Sequence, residues 1–322
     1  MTTQEELDRH FNYVRRLIGE GRVVPFLGAG ANLCGRPAAE PWRTDQSFLP
    51  SGFELSTYLK RQWQDCNEVE LARVAQWVFE MGGSADLFEQ LHHVFDRDYP
   101  PTRLHTFLAG LPGLLVSKNY QPRYQVIVTT NYDDLLERAF AAAGEPFDVV
   151  TYMSEGEARG KFVHTDADHN EQIVDVPNQY RNLAVDRRTI LLKIHGAVKR
   201  HTPDAEGDSY VITEDHYIDY LTRTELANLV PVTLAAKLRK SHFLFLGYGL
   251  RDWNMRVILH RIAGEQKLTY KSWAIQRDPT DLDQKFWDRR DVDILDVDLE
   301  SYVTELQNRM NQLPNATASV SA

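Results

Sequence analysis

Apolar positions follow two periods along the chain. Over residues 4–20, Leu7, Phe11, Val14, Leu17 and Ile18 fall on one stripe, the spacing of an amphipathic helix closed by Gly21. Val23-Val24-Pro25-Phe26-Leu27 then forms an unbroken apolar run, as in a strand buried on both faces of a parallel sheet. Further apolar strands are read at 124–128, 189–194 and 242–246, and 272–275 and 292–297 read as two more strands. Helical patterns fill the intervals at 54–65, 68–80, 84–95 and 103–110, then up to residue 143. Others follow at 214–222, 224–240, 252–262 and 299–311, with Pro231 either early in its helix or at a kink. Residues 151–188 are polar, show no helical stripe, and read as an excursion from the core, a hairpin. A polar loop over 199–209 leads into the apolar 210–213, and 314–322 reads as a tail. No internal repeat at a fixed period is present.

Strands alternating with helices predict an α/β fold with a doubly wound, mostly parallel sheet. Ligands of such sheets bind beyond the carboxyl ends of the strands. Four strands here end in Gly28-Ala29-Gly30, Thr129-Thr130-Asn131-Tyr132-Asp133, His195-Gly196 and Gly247-Tyr248-Gly249. Small residues, an amide, an imidazole and a carboxylate therefore converge on one edge.

Composition narrows the class. The 322 residues are 43% hydrophobic and 25% charged, as in ordinary globular proteins, which excludes a largely disordered chain. The net charge of −10 lacks the basic footprint of a nucleic-acid binder, so no direct nucleic-acid binding is expected. Two cysteines, Cys34 and Cys66, cannot build a four-thiolate zinc site and fit a reducing, cytoplasmic compartment. The N-terminus has no apolar signal core, and no apolar run approaches the length of a membrane span.

Each strand end carries a plain and a chemical reading. Gly28-Ala29-Gly30 is either a tight turn without a ligand or a backbone able to approach a phosphate. As a dinucleotide fingerprint it is incomplete, since position 33 is Leu, and no GK[ST] P-loop exists. Asp133 reads best as a helix cap. Asn131 offers a donor and an acceptor without charge, suited to a water or a ribose hydroxyl. His195 is either a satisfied structural residue or, at its ordinary pKa of about 6.5, a base usable near neutrality. Gly247-Tyr248-Gly249 offers a second backbone contact for phosphate or ribose. Cys34 reads as a packing residue. The His164, Asp166, Asp168 and His169 group matches no helical ligand spacing, and no metal site is expected there.

Taken in order, the four motifs GAG, TTNYD, KIHG and GYG resemble the sirtuin (silent information regulator) family, over about residues 22–300. The segments VITEDHY at 211–217 and GYGLRDWNMRVIL at 247–259 resemble its bacterial sirtuin-like branch, whose members are NAD-consuming effectors of anti-phage systems. The chain departs from the protein-deacylating members in having no cysteine over 197–246, where they carry a zinc ribbon. It also has Asn32 in place of the usual serine, Thr130 in place of glutamine, and the bulkier Tyr248. The missing ribbon argues against peptide deacylation.

The resemblance implies a Rossmann-type NAD-binding domain over 1–313 with a smaller helical module at about 40–122, NAD lying between them. It implies that Gly28, Ala29 and Gly30 cradle phosphate, and that Asn32, Asp133, Gly247, Tyr248 and Gly249 complete the NAD site. Asn131 and His195 would be the catalytic pair. The activity expected is NAD glycohydrolysis, giving nicotinamide and ADP-ribose, without zinc. A protein deacylase or ADP-ribosyltransferase, and a nucleotide-binding sensor or scaffold without turnover, stay open as alternatives. A hydrolase that depletes NAD needs a gate, so a homo-oligomer or a separately encoded HerA-type ATPase is the expected partner.

Overall fold

The computed structural model describes residues 3–37, 40–121, 123–222, 230–248 and 270–316. The helix expected at 252–262, the first part of that at 224–240, and Gly249 lie outside the described residues.

Nine strands form one sheet in the order β11-β10-β9-β1-β2-β6-β3-β4-β5. They are β1 (Val23–Leu27), β2 (Val126–Thr129), β3 (Phe147–Tyr152), β4 (Phe162–Thr165), β5 (Glu171–Ile173), β6 (Thr189–Lys193), β9 (His242–Leu246), β10 (Ser272–Ile275) and β11 (Val292–Leu295). Seven of them, from β11 to β3, pair parallel, and β4 and β5 add an antiparallel edge. A separate two-stranded ribbon joins β7 (Gly196–Ala197) to β8 (Ser209–Tyr210). Both faces of the sheet are covered. Val24, Phe26, Val128, Leu192 and Phe245 face one layer, and Val23, Leu27, Ile127, Leu191 and Leu246 face the other. This two-sided burial is what the unbroken apolar runs require, and the doubly wound α/β reading stands.

The helices are α1 (Gln4–Gly19), α2 (Gly52–Leu59), α3 (Leu71–Phe95), α4 (Arg103–Ser117), α5 (Leu135–Ala143), α6 (Glu214–Thr222), α7 (Val232–Arg239), α8 (Asp281–Asp288) and α9 (Leu299–Asn311). The two helices expected at 68–80 and 84–95 form one element, α3, kinked at Gly83, whose φ of 85° departs from helical geometry. The helix expected at 103–110 continues to Ser117 through Pro112. Leu104, Phe107, Leu108, Leu111 and Leu115 of α4 are buried among residues of α5 and α9. At about 1.5–3 kcal/mol per buried side chain, that packing outweighs the cost of one helical proline, about 3 kcal/mol. Pro231 is the N-cap of α7. Residues between Trp42 and Tyr99, on α2 and α3, form a third core that also takes in Tyr132, Tyr210 and Ile212.

Strand β3 is not among the strands read from the sequence, and it carries Asp148. That side chain is fully buried and bonded to Arg188 at 2.9 Å, with His164 Nε2 at 3.3 Å. Burial alone would raise its carboxyl, but the hydrogen bonds from His164 and Arg188 outweigh this and hold it below the usual range. The 151–188 excursion contains the β4–β5 hairpin. At its tip Asp166 accepts from the backbone N–H groups of Asp168 and Asn170, while His164 turns inward to the Tyr180 hydroxyl at 2.6 Å. Among the described residues no helix is long and apolar enough to cross a membrane, and no three His, Cys, Asp or Glu side chains gather as metal ligands.

Candidate active site

Parallel pairing brings the turns after β1, β2, β6, β9, β10 and β11 to one edge, where they line a cleft of about 540 Å³. Pro50, Ser51, Gly52, Leu55, Leu71 and Phe95 supply the facing wall, so the cleft lies between the sheet and the helical module. Its volume is within the usual range for small-molecule sites, about 300–1,000 Å³.

The glycine turns meet each other. Gly28 N–H donates to Leu246 O at 3.1 Å and Gly30 N–H to Gly247 O at 2.8 Å. A Cβ on Gly30 would stand 2.7 Å from Gly247 O, and one on Gly247, whose φ is +71°, would stand 2.1 Å from Ala31 N. A Cβ on Gly28 would meet the Tyr248 ring at 2.6 Å. The crossing of two backbones thus demands these glycines before any ligand does. The Ala29 N–H takes no acceptor among the described residues and is available to an anion.

Asn32, Asn131 and Asp133 form one buried network. Asn32 Nδ2 donates to Asp133 Oδ2 at 2.7 Å, and Asn131 Nδ2 donates to Asn32 Oδ1 at 3.3 Å and to Gly28 O at 3.2 Å. Asp133 Oδ1 also accepts the Leu135 N–H at the start of α5, at 3.1 Å. Asp133, one residue before the N-cap Asp134, therefore takes up an N–H at the helix start and anchors the amide pair. Asn131 Oδ1 has no donor among the described residues and stays free to accept one.

His195 is buried, with the rings of Tyr217 and Tyr220 edge-on at 5.5 and 5.8 Å. Burial pushes its imidazole down to about 3, far below the value near 6.5 expected for an open strand end. It is neutral at pH 7, and its buried Nε2 has no hydrogen-bond partner. Gly196 gives the turn its positive φ of 88°, and a side chain there would strike Ser209 O.

Residues 125–295 match the family model described as SIR2-like domain. The chain belongs to the SIR2-like domain family. It is 24% identical over 283 residues to "Defense-associated sirtuin 2" of Bacillus subtilis, covering 86% of this chain and 23% of that protein. It is 28% identical over 236 residues to "NAD(+) hydrolase ThsA" of Acinetobacter baumannii, covering 73% of this chain and 38% of that protein. A third relative, "NAD(+) hydrolase ThsA" of Cytobacillus dafuensis, is 24% identical over 195 residues, 61% of this chain and 31% of that protein. The chain thus spans well under half the length of these relatives.

In this SIR2-like chain the structure gathers Ala29, Gly30, Asn32, Asn131, Asp133, His195, Gly247 and Tyr248 on one cleft, with Gly28 just behind it. Three contributors, Lys193, Gln276 and Tyr217, are not singled out by the sequence. Lys193 is 2% exposed and donates to the Asp133 carbonyl and to Glu137 Oε1, the latter at 2.7 Å, bracing the turn from below. A lysine closing an apolar strand was the available signal. The Tyr248 hydroxyl donates to Thr130 Oγ1 at 3.0 Å, tying two turns together. Gln276, after β10, lines the far end of the cleft with a buried Oε1 that lacks a donor. Tyr217 packs on His195 from a helix 22 positions later in the chain. Cys34 is buried, and burial raises its thiol to about 11, so it packs and does not react.

Proposed function

We propose that this chain is an NAD glycohydrolase, acting as a NAD-depleting effector in bacterial defence. The observation that carries the reading is the convergence of Asn131, Asp133, His195 and the paired glycine turns on one cleft. The names of the two hydrolase relatives and of the defence-associated sirtuin support it.

The chemistry asked of the site is modest. Nicotinamide leaves a cationic pyridinium as a neutral ring, so no general acid is required. Water adds to the ribose C1 as the C1–N bond breaks, giving nicotinamide, ADP-ribose and one proton. The protein has to hold the ribose, exclude stray water and align one nucleophile. The free Asn131 Oδ1 is suited to accept from a ribose hydroxyl or from the attacking water. Neutral His195 is suited to accept a hydrogen bond at the ribose. Its low pKa in the free cleft makes it an orienting acceptor first and a base only as the water loses its proton. Ala29 N–H is available to a phosphate, and Gln276 Oε1 to a donor on the adenosine half. Tyr210, beside the His195 turn, packs against Phe88, Phe95 and Tyr132. Tyr217 and Tyr220 stand edge-on against the imidazole itself, and this crowding favours water over a bulky acceptor.

Zinc has no place in this reading. Exposed Phe53, Val69 and Met81 around the helical module support assembly with further copies or with a separately encoded ATPase of the HerA type. The test is nicotinamide release from NAD by the purified chain with no protein substrate, followed chromatographically and repeated with the candidate partner. Release that depends on an acylated peptide would instead identify a deacylase.

A further inference from the structure

We propose that Arg200, which lies outside the cleft, is a positioning residue that fixes the 131–134 turn against the wall of the helical module. The proposal rests on the reading of the cleft as a NAD site. Arg200 sits on the loop between β7 and β8, and its guanidinium reaches three carboxylates on two elements. Nε donates to Asp134 Oδ2 at 3.0 Å, Nη1 to Asp96 Oδ1 at 2.9 Å and Nη2 to Asp98 Oδ1 at 2.7 Å. Asp134 follows Asp133 in the turn that carries Asn131. Asp96 follows Phe95, which lines the opposite wall of the cleft. One planar group therefore joins the two walls.

The burial of the partners separates anchor from ornament. The Arg200 side chain is 11% exposed, Asp96 20% and Asp134 17%, whereas Asp98 is 76% exposed. The pairs to Asp96 and Asp134 are shielded, and the pair to Asp98 is screened by water. Three N–H directions in a rigid fork match three separate acceptors, which the compact ammonium of a lysine cannot do.

The loop is held at a second point. Asp208 Oδ2 accepts from the Tyr210 hydroxyl at 2.6 Å and pairs with His92 Nδ1 of α3 at 3.0 Å, while Asp208 Oδ1 accepts the Lys199 N–H at 2.6 Å. Module and turn also meet through an aromatic contact, with Phe95 edge-on to Tyr132 at 5.4 Å, and just beyond the turn Arg138 Nη1 donates to Tyr99 O at 2.6 Å. Ring contacts resist separation but tolerate sliding. The Arg200 guanidinium supplies the direction they lack, and a displacement of about 1 Å at a reacting group can cost about 10²-fold in rate.

Arg200→Lys and Asp134→Asn are the decisive variants, with Asp98→Asn as control. Both decisive variants should lose at least about tenfold in kcat for nicotinamide release, while KM for NAD changes less than about threefold. The double variant should be no worse than either, and Asp98→Asn should match the wild type. Amide exchange of the ligand-free protein, which requires no chemistry, should rise over 131–135 and 95–99 and stay unchanged over 242–246. Wild-type exchange at the turn in both decisive variants overturns the proposal, as does wild-type kcat per folded molecule. If Arg200→Lys does not fold, Asp134→Asn, which leaves the arginine on its other two partners, gives the decision. If the wild-type chain releases no nicotinamide, the NAD reading fails, and exchange alone decides whether Arg200 holds the turn.

Discussion

Asn32 and Asp133 stand 101 positions apart in sequence and share a 2.7 Å hydrogen bond in the floor of the cleft. That bond orients the Asn32 amide so that its oxygen receives Asn131 Nδ2, which leaves the Asn131 oxygen free. A carboxylate bonded to a helix-start N–H thus sets, through one intervening amide, which Asn131 atom is left open to the cleft.

Replacing Asn131 and His195, the pair proposed to face the substrate, should separate turnover from folding. Asn131→Ala and His195→Ala are each expected to lose about 10²-fold or more in nicotinamide release, with NAD affinity falling much less. The double variant should be hardly worse than either single one, because the two act on one ribose. Near-normal release by His195→Ala would remove the imidazole from the mechanism. Asn32→Ala should also lose turnover and cost about 1–3 kcal/mol, since it strands Asp133 Oδ2 and leaves Asn131 Nδ2 with Gly28 O alone.

The glycine crossing predicts a folding defect where a phosphate loop would predict a binding defect. Gly247→Ala puts a methyl at positive φ against the Ala31 backbone, and should cost about 2 kcal/mol or more. The denaturant midpoint should drop clearly in the absence of NAD. A variant with an unchanged midpoint and weakened NAD binding would show that the glycine serves the ligand instead.

Buried Lys193 pairs with partly buried Glu137, and desolvation raises the Glu137 carboxyl despite the lysine beside it. Lys193→Met should destabilise by about 3–5 kcal/mol, because it leaves that carboxyl without its partner and releases the Asp133 carbonyl. Adding Glu137→Leu should recover much of the loss. Chemical denaturation of the single and double variants measures both, and equal stability of the two would count against the pairing.

Three histidines predict a stability that falls in mild acid. Burial lowers His10 and His195 to about 3 and His105 to about 4. In the unfolded chain each titrates near 6.5. Between these values the unfolded state binds the proton and the folded state does not, so stability is lost as pH falls below about 6.5 and is unaffected by these groups above it. Each contributes a slope of up to about 1.4 kcal/mol per pH unit. Urea midpoints at pH 7, 6 and 5 should decline, and His195→Gln should flatten the decline. A flat wild-type profile would mean that the imidazoles are accessible to protons in the folded state.

Much of the parallel sheet is legible in the sequence, because most strands buried on both faces are written as short apolar runs. The cleft's edge is legible too, since small and polar residues follow four of those runs. Strand β3 is not among the strands read from the sequence, and only Arg188 and His164, brought in from other segments, make its buried Asp148 tolerable there. The continuation of α4 through Pro112 is equally invisible, since the packing that overrides the proline comes from α5 and α9.

The sequence by itself therefore determined the fold class, the edge at which chemistry gathers, and the identity of the groups on it. These follow from periodicity and residue type, which are local properties. Only the tertiary structure decided what each group is free to do. His195 lost its ordinary basicity to burial under Tyr217 and Tyr220. Gly28, Gly30 and Gly247 proved to make room for one another, and Asp133 spends its oxygens on Asn32 and a helix N–H. Arg200 reaches Asp96 and Asp134 across more than sixty positions of chain. Desolvation and hydrogen-bond partnership are properties of the surroundings, and a side chain's surroundings exist only once distant segments have packed together.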